Sequence, residues 1–281
     1  MIIDFHTHIF PPRLKQNRDR YINIDPTFAT LYSSPKAKLA TADELIASMD
    51  EEGIDISVVL GFGWTSHELC VENNNYVLES IARYPKRLVG FCTVQPRFLE
   101  SALAEIERCA KGGIRGVGEI RPDTQGLNLQ DDKTMKPFVE TIARHNLILL
   151  THTSEPVGHM YSGKGKVTPE LLYPFITSYP DLIMVCAHWG GGLPFYTLMP
   201  EVKQAMANMF FDTAASPFLY SPQVYNQAIQ LVGAGKILFG SDYPLLKPSR
   251  LLKEIKALNL PPDVERLILS GNARKLLGIE D

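Results

Sequence analysis

A chain of 281 residues, 45% hydrophobic and 21% charged, has ample material for one sizeable core. Its 28 Lys+Arg against 31 Asp+Glu give a net charge of -3, which argues against a basic groove for nucleic acid. No apolar run is long enough to span a bilayer, and no basic-then-apolar segment opens the chain, so a cytoplasmic protein is expected.

In chain order, the first strand is expected at Ile2 and Ile3, ending at His6 and His8. Side chains two apart in a strand share a face, so both imidazoles, and Asp4 with them, are expected to point inward. Asp4 would then orient a ligand. A polar connection of residues 9–40, with Pro11, Pro12, Pro26 and Pro35, reads as irregular chain that covers a site or meets another subunit. Thr41 and Glu44 form a capping box for a helix whose stripe is Leu45, Ile46 and Met49 and whose stop is Gly53.

From there strand and helix alternate. Strand-like runs at residues 57–60, 88–94, 116–120, 147–150, 182–187, 209–212 and 237–239 are each followed by a helical pattern, including one at 194–207. Residues 263–277 read as extra C-terminal helices. With the first strand this makes eight βα units, apolar on both strand faces. Such alternation implies parallel strands and right-handed crossovers, so the predicted fold is α/β, a (β/α)8 TIM barrel, with residues 1–281 as a single domain. No G-x-G-x-x-G follows the first strand, which weakens a dinucleotide-binding sheet. Cys70, Cys92, Cys109 and Cys186 lack Cys-x-x-Cys spacing and read as reduced thiols.

Barrel enzymes place their chemistry at the C-terminal ends of strands. Those ends carry His6, His8, Glu119, His152, His188 and Asp242, which include four of the seven histidines. So many ionisable groups at one rim would be costly to bury without a metal or a catalytic role. In the fourth strand, alternation groups Val117 with Glu119, and a carboxylate there must face the rim to find a partner. Loop residues Trp64, Arg121, Trp189 and Tyr243 and the segment Glu155–Lys166 are the candidate substrate contacts.

The runs Asp-Phe-His-Thr-His (4–8), Leu-Thr-His-Thr (150–153), Cys-Ala-His-Trp-Gly-Gly (186–191) and Phe-Gly-Ser-Asp-Tyr-Pro (239–244) together resemble the amidohydrolase superfamily. In particular they resemble its amidohydrolase-related branch, which holds hydrolases and also non-oxidative decarboxylases. The resemblance implies a divalent metal, usually zinc, on His6, His8, His152 and Asp242, with His188 in acid/base catalysis or on a second ion. Gly-Val-Gly-Glu-Ile (116–120) departs from that branch and resembles the Glu-bearing strand of TatD-type and phosphotriesterase-like hydrolases, which leaves one or two ions open.

A mixed His/carboxylate set suits Zn²⁺, with Mn²⁺ or Fe²⁺ as substitutes. The expected reaction is attack of a metal-activated water on an amide, ester or lactone bond of a small polar substrate, with Asp242 taking the water proton. The alternative is metal-assisted decarboxylation of an aromatic or unsaturated carboxylic acid. A non-catalytic binding protein on a barrel scaffold fits less well, because the donor set is complete. The expected partner is a small molecule, with a homo-oligomer possible and no nucleic acid or membrane.

Overall fold

A computed structural model of the chain describes residues 1–280. Eight parallel strands pair in sequence order: β1 (Ile3–His8), β2 (Ile56–Leu60), β3 (Leu88–Cys92), β4 (Gly116–Ile120), β5 (Ile148–Thr151), β6 (Met184–Cys186), β7 (Met209–Asp212) and β8 (Ile237–Leu238). The end of β8 returns to β1 through Phe5 N–H to Phe239 O (2.7 Å), Asp242 N–H to His6 O (2.9 Å) and His8 N–H to Tyr243 O (2.7 Å). That closure makes the sheet a barrel.

Ile3, Phe5, Val58, Leu60, Phe91, Ile148, Leu150, Val185 and Leu238 fill the interior, while Val59, Cys92, Val117, Leu149, Met184 and Phe211 pack outward under the helices. All four cysteines are free and buried.

Strict alternation fails at two places, both at the rim. In β1, Phe5 and His6 are consecutive yet both face the interior, because the register with β2 slips between Asp4 and Thr7. In β4 the register with β5 slips between Val117 and Ile120. Val117 therefore lies in the outer core while Glu119 turns to the rim, so the expected grouping of Val117 with Glu119 does not hold. The slip requires glycine at 118, where a Cβ would stand 2.5 Å from Leu150 O.

The connection after β1 is folded rather than irregular. It forms α1 (Pro12–Gln16), α2 (Arg18–Ile24) and α3 (Pro26–Tyr32). Pro12 and Pro26 start helices instead of breaking them, since an N1 residue has no intrahelical use for its N–H. Asp25 caps α3 by accepting from Phe28 N–H at 2.8 Å, and its other oxygen accepts from the N–H and hydroxyl of Thr65. Phe10, Tyr21, Phe28, Phe62 and Trp64 bind the connection to the barrel top, with Phe28 stacked on Trp64 at 5.3 Å. The helix α4 (Ala42–Glu52) carries the expected capping box and ends at left-handed Gly53.

The helix expected over 194–207 is split into a 3-10 turn, Leu193–Tyr196, and a short helix, Pro200–Ala205. Pro200 has no N–H to continue a helix, so a new one begins there. No helix among the described residues is long and apolar enough to cross a membrane.

Candidate metal centre and active site

The rim residues converge as their strand ends required. His6, His8, Glu119, His152 and His188 are all buried, and Asp242 is partly so. His6 Nε2 and His8 Nε2 stand 3.1 Å apart, and Asp242 Oδ1 lies 3.8 Å from the first and 3.6 Å from the second. Glu119 reaches them from the other side, with Oε2 3.7 Å from His8 Nε2. Its Oε1 accepts from His152 Nδ1 at 2.8 Å and lies 3.6 Å from His188 Nε2. Three donor triads result: His6–His8–Glu119, His6–His188–Asp242 and Glu119–His152–His188. Glu119 belongs to two of them.

Hydrogen bonds fix the tautomers. His6 Nδ1 faces Asp212 Oδ2 at 2.8 Å, and His188 Nδ1 faces the carbonyl of Ala214 at 3.2 Å. Both partners accept, so each Nδ1 carries a hydrogen and each Nε2 turns inward, with a lone pair to offer an ion when the ring is neutral. Lone pairs and carboxylates aimed at one point repel unless a cation lies between them, so the donor chemistry fits a divalent ion. His152 has a close partner on each ring nitrogen. Its Nδ1 donates to Glu119 and its Nε2 lies 3.2 Å from Ser154 Oγ, so both nitrogens are engaged.

Charge follows the geometry. Burial opposes protonation of His6, but the Asp212 carboxylate outweighs it and pushes the imidazole up to about 10. Burial, reinforced by neighbouring His6, holds His8 below its ordinary value. Burial, with Arg121 beside it, brings His152 down to about 4. Burial works against ionised Glu119, yet the adjacent His152 keeps it well below the usual carboxylate range.

Above the cluster opens a cavity of about 370 Å³. Leu31, Tyr32, Phe62, Phe218 and Leu219 form apolar walls, and Glu119, Arg121, His152, His188 and Asp242 supply polar groups. Leu31 and Tyr32 come from α3, so the connection after β1 does cover the site.

Of the four single-residue candidates only Arg121 lines this cavity, while the glycine-rich segment 155–166 lines it through His159, Tyr161, Ser162 and Gly163. Trp64 is fully buried in the aromatic cluster and donates to Asn73 at 3.0 Å. Trp189 is fully buried on the far side of its turn, donating to Ser216 Oγ at 2.5 Å, edge-on to Tyr225. Tyr243 points to the Glu44 carbonyl on α4. Each belongs to a rim loop, but a large apolar ring packs into whatever core its loop crosses.

Asp4 touches neither imidazole ring. It accepts from Ser241 Oγ (2.5 Å) and N–H (2.9 Å), tying β1 to the turn that carries Asp242. The group that orients His6 is Asp212, which sequence reasoning missed although it ends β7. Its second oxygen accepts from His188 N–H at 2.8 Å. The strand-end rule that selected the other acids would have found it.

Comparison with known proteins adds four facts. The amidohydrolase family model matches residues 3–279. The chain is 22% identical over 348 residues to a 2-amino-3-carboxymuconate-6-semialdehyde decarboxylase of Dictyostelium discoideum, covering 99% of this chain and 92% of that protein. It is 24% identical over 318 residues to a 6-methylsalicylic acid decarboxylase of Penicillium expansum, covering 98% and 95%. Among solved structures, a 5-carboxyvanillate decarboxylase of Novosphingobium aromaticivorans with bound manganese and 3-methoxy-4-hydroxy-5-nitrobenzoic acid superposes with a TM-score of 0.83 at 19% identity. That match covers 99% of this chain and 97% of the other, and it shows the shared fold. These relatives are decarboxylases, which overturns the expectation of hydrolysis. The His/carboxylate motif is common to both chemistries and does not discriminate between them.

Proposed function

The chain belongs to the amidohydrolase family, and from that premise we propose that it is a metal-assisted, non-oxidative decarboxylase of a small aromatic carboxylic acid. The observation that carries this reading is a cluster of metal-binding side chains opening into a cavity walled by Leu31, Tyr32, Phe62 and Phe218. The relatives' reactions agree with it.

His6, His8 and Asp242 would hold the ion together with Glu119, which forms a triad with His6 and His8, and His188 would keep its Nε2 for proton transfer. A divalent ion there, manganese as well as zinc, would supply positive charge against the substrate's carboxylate. The chain does the rest. Its apolar walls seat the ring and keep water away. They also favour the reaction's direction, since a buried carboxylate is costly and neutral carbon dioxide is not.

His188, with Nδ1 held by the Ala214 carbonyl and Nε2 on the cavity, delivers a proton to the ring carbon that bears the carboxylate. The carbon–carboxylate bond then breaks, its electron pair restores the aromatic ring, and carbon dioxide leaves. Burial opposes a charged His188, but the Glu119 carboxylate, which accepts from it, raises its pKa above the ordinary value.

The test is carbon dioxide release from hydroxybenzoic acids by protein loaded with Mn²⁺ or Zn²⁺. His188→Asn is expected to lower turnover about a hundredfold with metal still bound. No release from any acid with either metal overturns the proposal.

A further inference from the structure

Arg121 is 5% exposed, lines the cavity, and forms no ion pair with a carboxylate among the described residues. Its guanidinium is only partly used. One terminal nitrogen donates to the Gly163 carbonyl at 3.0 Å. The other stands 3.4 Å from His152 Nδ1, a nitrogen whose hydrogen already goes to Glu119 and which has no lone pair to offer. Nε is buried without any partner. The neighbouring acid, Glu119, is spent on the imidazoles.

The position is also built. A Cβ at Gly63 would lie 2.8 Å from Arg121 Cβ and 2.9 Å from Cγ, so the missing side chain makes the slot for the arginine's stem. The backbone N–H of Arg121 is pinned to Gln125 Oε1 at 2.9 Å, and Gln125 is itself anchored on the carbonyls of Trp64 and Val94. A rigidly seated, desolvated guanidinium without a counter-ion is costly. Lys38, on the same cavity wall, likewise has no ion pair among the described residues.

We propose that Arg121 is the receptor for a second carboxylate on the substrate, separate from the carboxylate that is lost at the His/carboxylate cluster. The substrate class is then a ring with two acidic groups. This deepens the decarboxylase reading and rests on it. A planar guanidinium with free N–H groups recognises a carboxylate by paired, charge-assisted hydrogen bonds. A second anion so held also explains why His152 stands between Glu119 and Arg121, keeping the acid from neutralising the base.

Calorimetric binding to the manganese-loaded protein tests this with benzoate against its meta and para dicarboxylates, and the readout needs no turnover. One of the diacids is expected to bind about a hundredfold tighter than benzoate, the scale of a charge-assisted pair. Arg121→Met is expected to erase that difference and leave benzoate unchanged. If Arg121→Met does not fold, Arg121→Lys, which keeps charge but loses Nε, is expected to reduce the preference in part. The proposal is overturned if neither diacid outbinds benzoate, or if the variant weakens mono- and diacids alike. Failure to release carbon dioxide alone, with the diacid preference intact, counts against the reaction and not against this subsite.

Discussion

His6 depends on Asp212 for both its tautomer and its orientation, and Asp212 holds the backbone of His188 as well. A carboxylate behind a ligating imidazole raises the basicity of the nitrogen that faces the ion. Asp212→Asn preserves shape but removes that charge. It is expected to weaken metal binding roughly 10–100-fold, measured by competition with a chelator, with an unchanged circular dichroism spectrum. A second residue-scale prediction concerns Glu105, buried in the helix Leu99–Lys111, which accepts from Asn74 at 2.7 Å and from Arg108 at 2.8 Å. Asn74 in turn clamps both backbone groups of Thr93, just past β3. Burial opposes ionisation of Glu105, but Arg108 wins and keeps its carboxyl below the ordinary value. The stabilisation is therefore complete above the unfolded-state pKa of about 4.3 and is lost as pH falls through the lower folded value. Glu105→Gln is expected to cost about 1.5–3 kcal/mol at pH 7 by urea unfolding, and progressively less below about pH 4.

At the scale of elements, the connection that carries α1–α3 adds Leu31, Tyr32, Ala37 and Lys38 to the cavity wall. These helices are short, and what holds them is the aromatic cluster rather than helix propensity. Phe28 is its centre, fully buried and touching Phe10, Tyr21, Tyr32, Phe62 and Trp64. Phe28→Ala leaves a void worth about 3–5 kcal/mol in a well-packed core. Because the loss falls on the covering segment, its local opening is expected to exceed the change in global unfolding. Limited proteolysis between residues 12 and 40 and a raised KM, with the barrel's Tm little altered, are the expected results.

For the whole molecule, the rim gathers four imidazoles and two carboxylates from five strand ends, and this convergence is stable only with positive charge at its centre. A bound ion acts as a ligand of the folded state alone. At a thousandfold excess over Kd it contributes about 4 kcal/mol, or about 10 °C in Tm for a chain of this size. Metal-stripped protein is expected to melt lower by that order, and Mn²⁺ or Zn²⁺ is expected to restore the transition while Mg²⁺, which prefers all-oxygen shells, restores little. Equal melting with and without these ions would show that the cluster is not a metal site.

The eight βα units, their order and the strand-end residues His6, His8, Glu119, His152, His188 and Asp242 were legible from sequence, because they follow from local periodicity and from where a closed barrel keeps its chemistry. The capping box at Thr41 was legible for the same reason, being a contact between residues three apart. Face assignments were readable only while the ladder was unbroken. The slips at Phe5–His6 and at Gly118 arise from neighbouring strands and leave no periodic mark, so Asp4 and Val117 were given the wrong partners. Trp64, Trp189 and Tyr243 shared the rim loops with Arg121, and only packing against Asn73, Ser216 and α4 decided that they turn away from the cavity. The choice between reactions was likewise closed to the motif. Histidines and carboxylates that hold an ion serve more than one chemistry, whereas the cavity that selects a substrate is assembled from α3, β4 and loops more than a hundred residues apart, and only the folded chain brings them together.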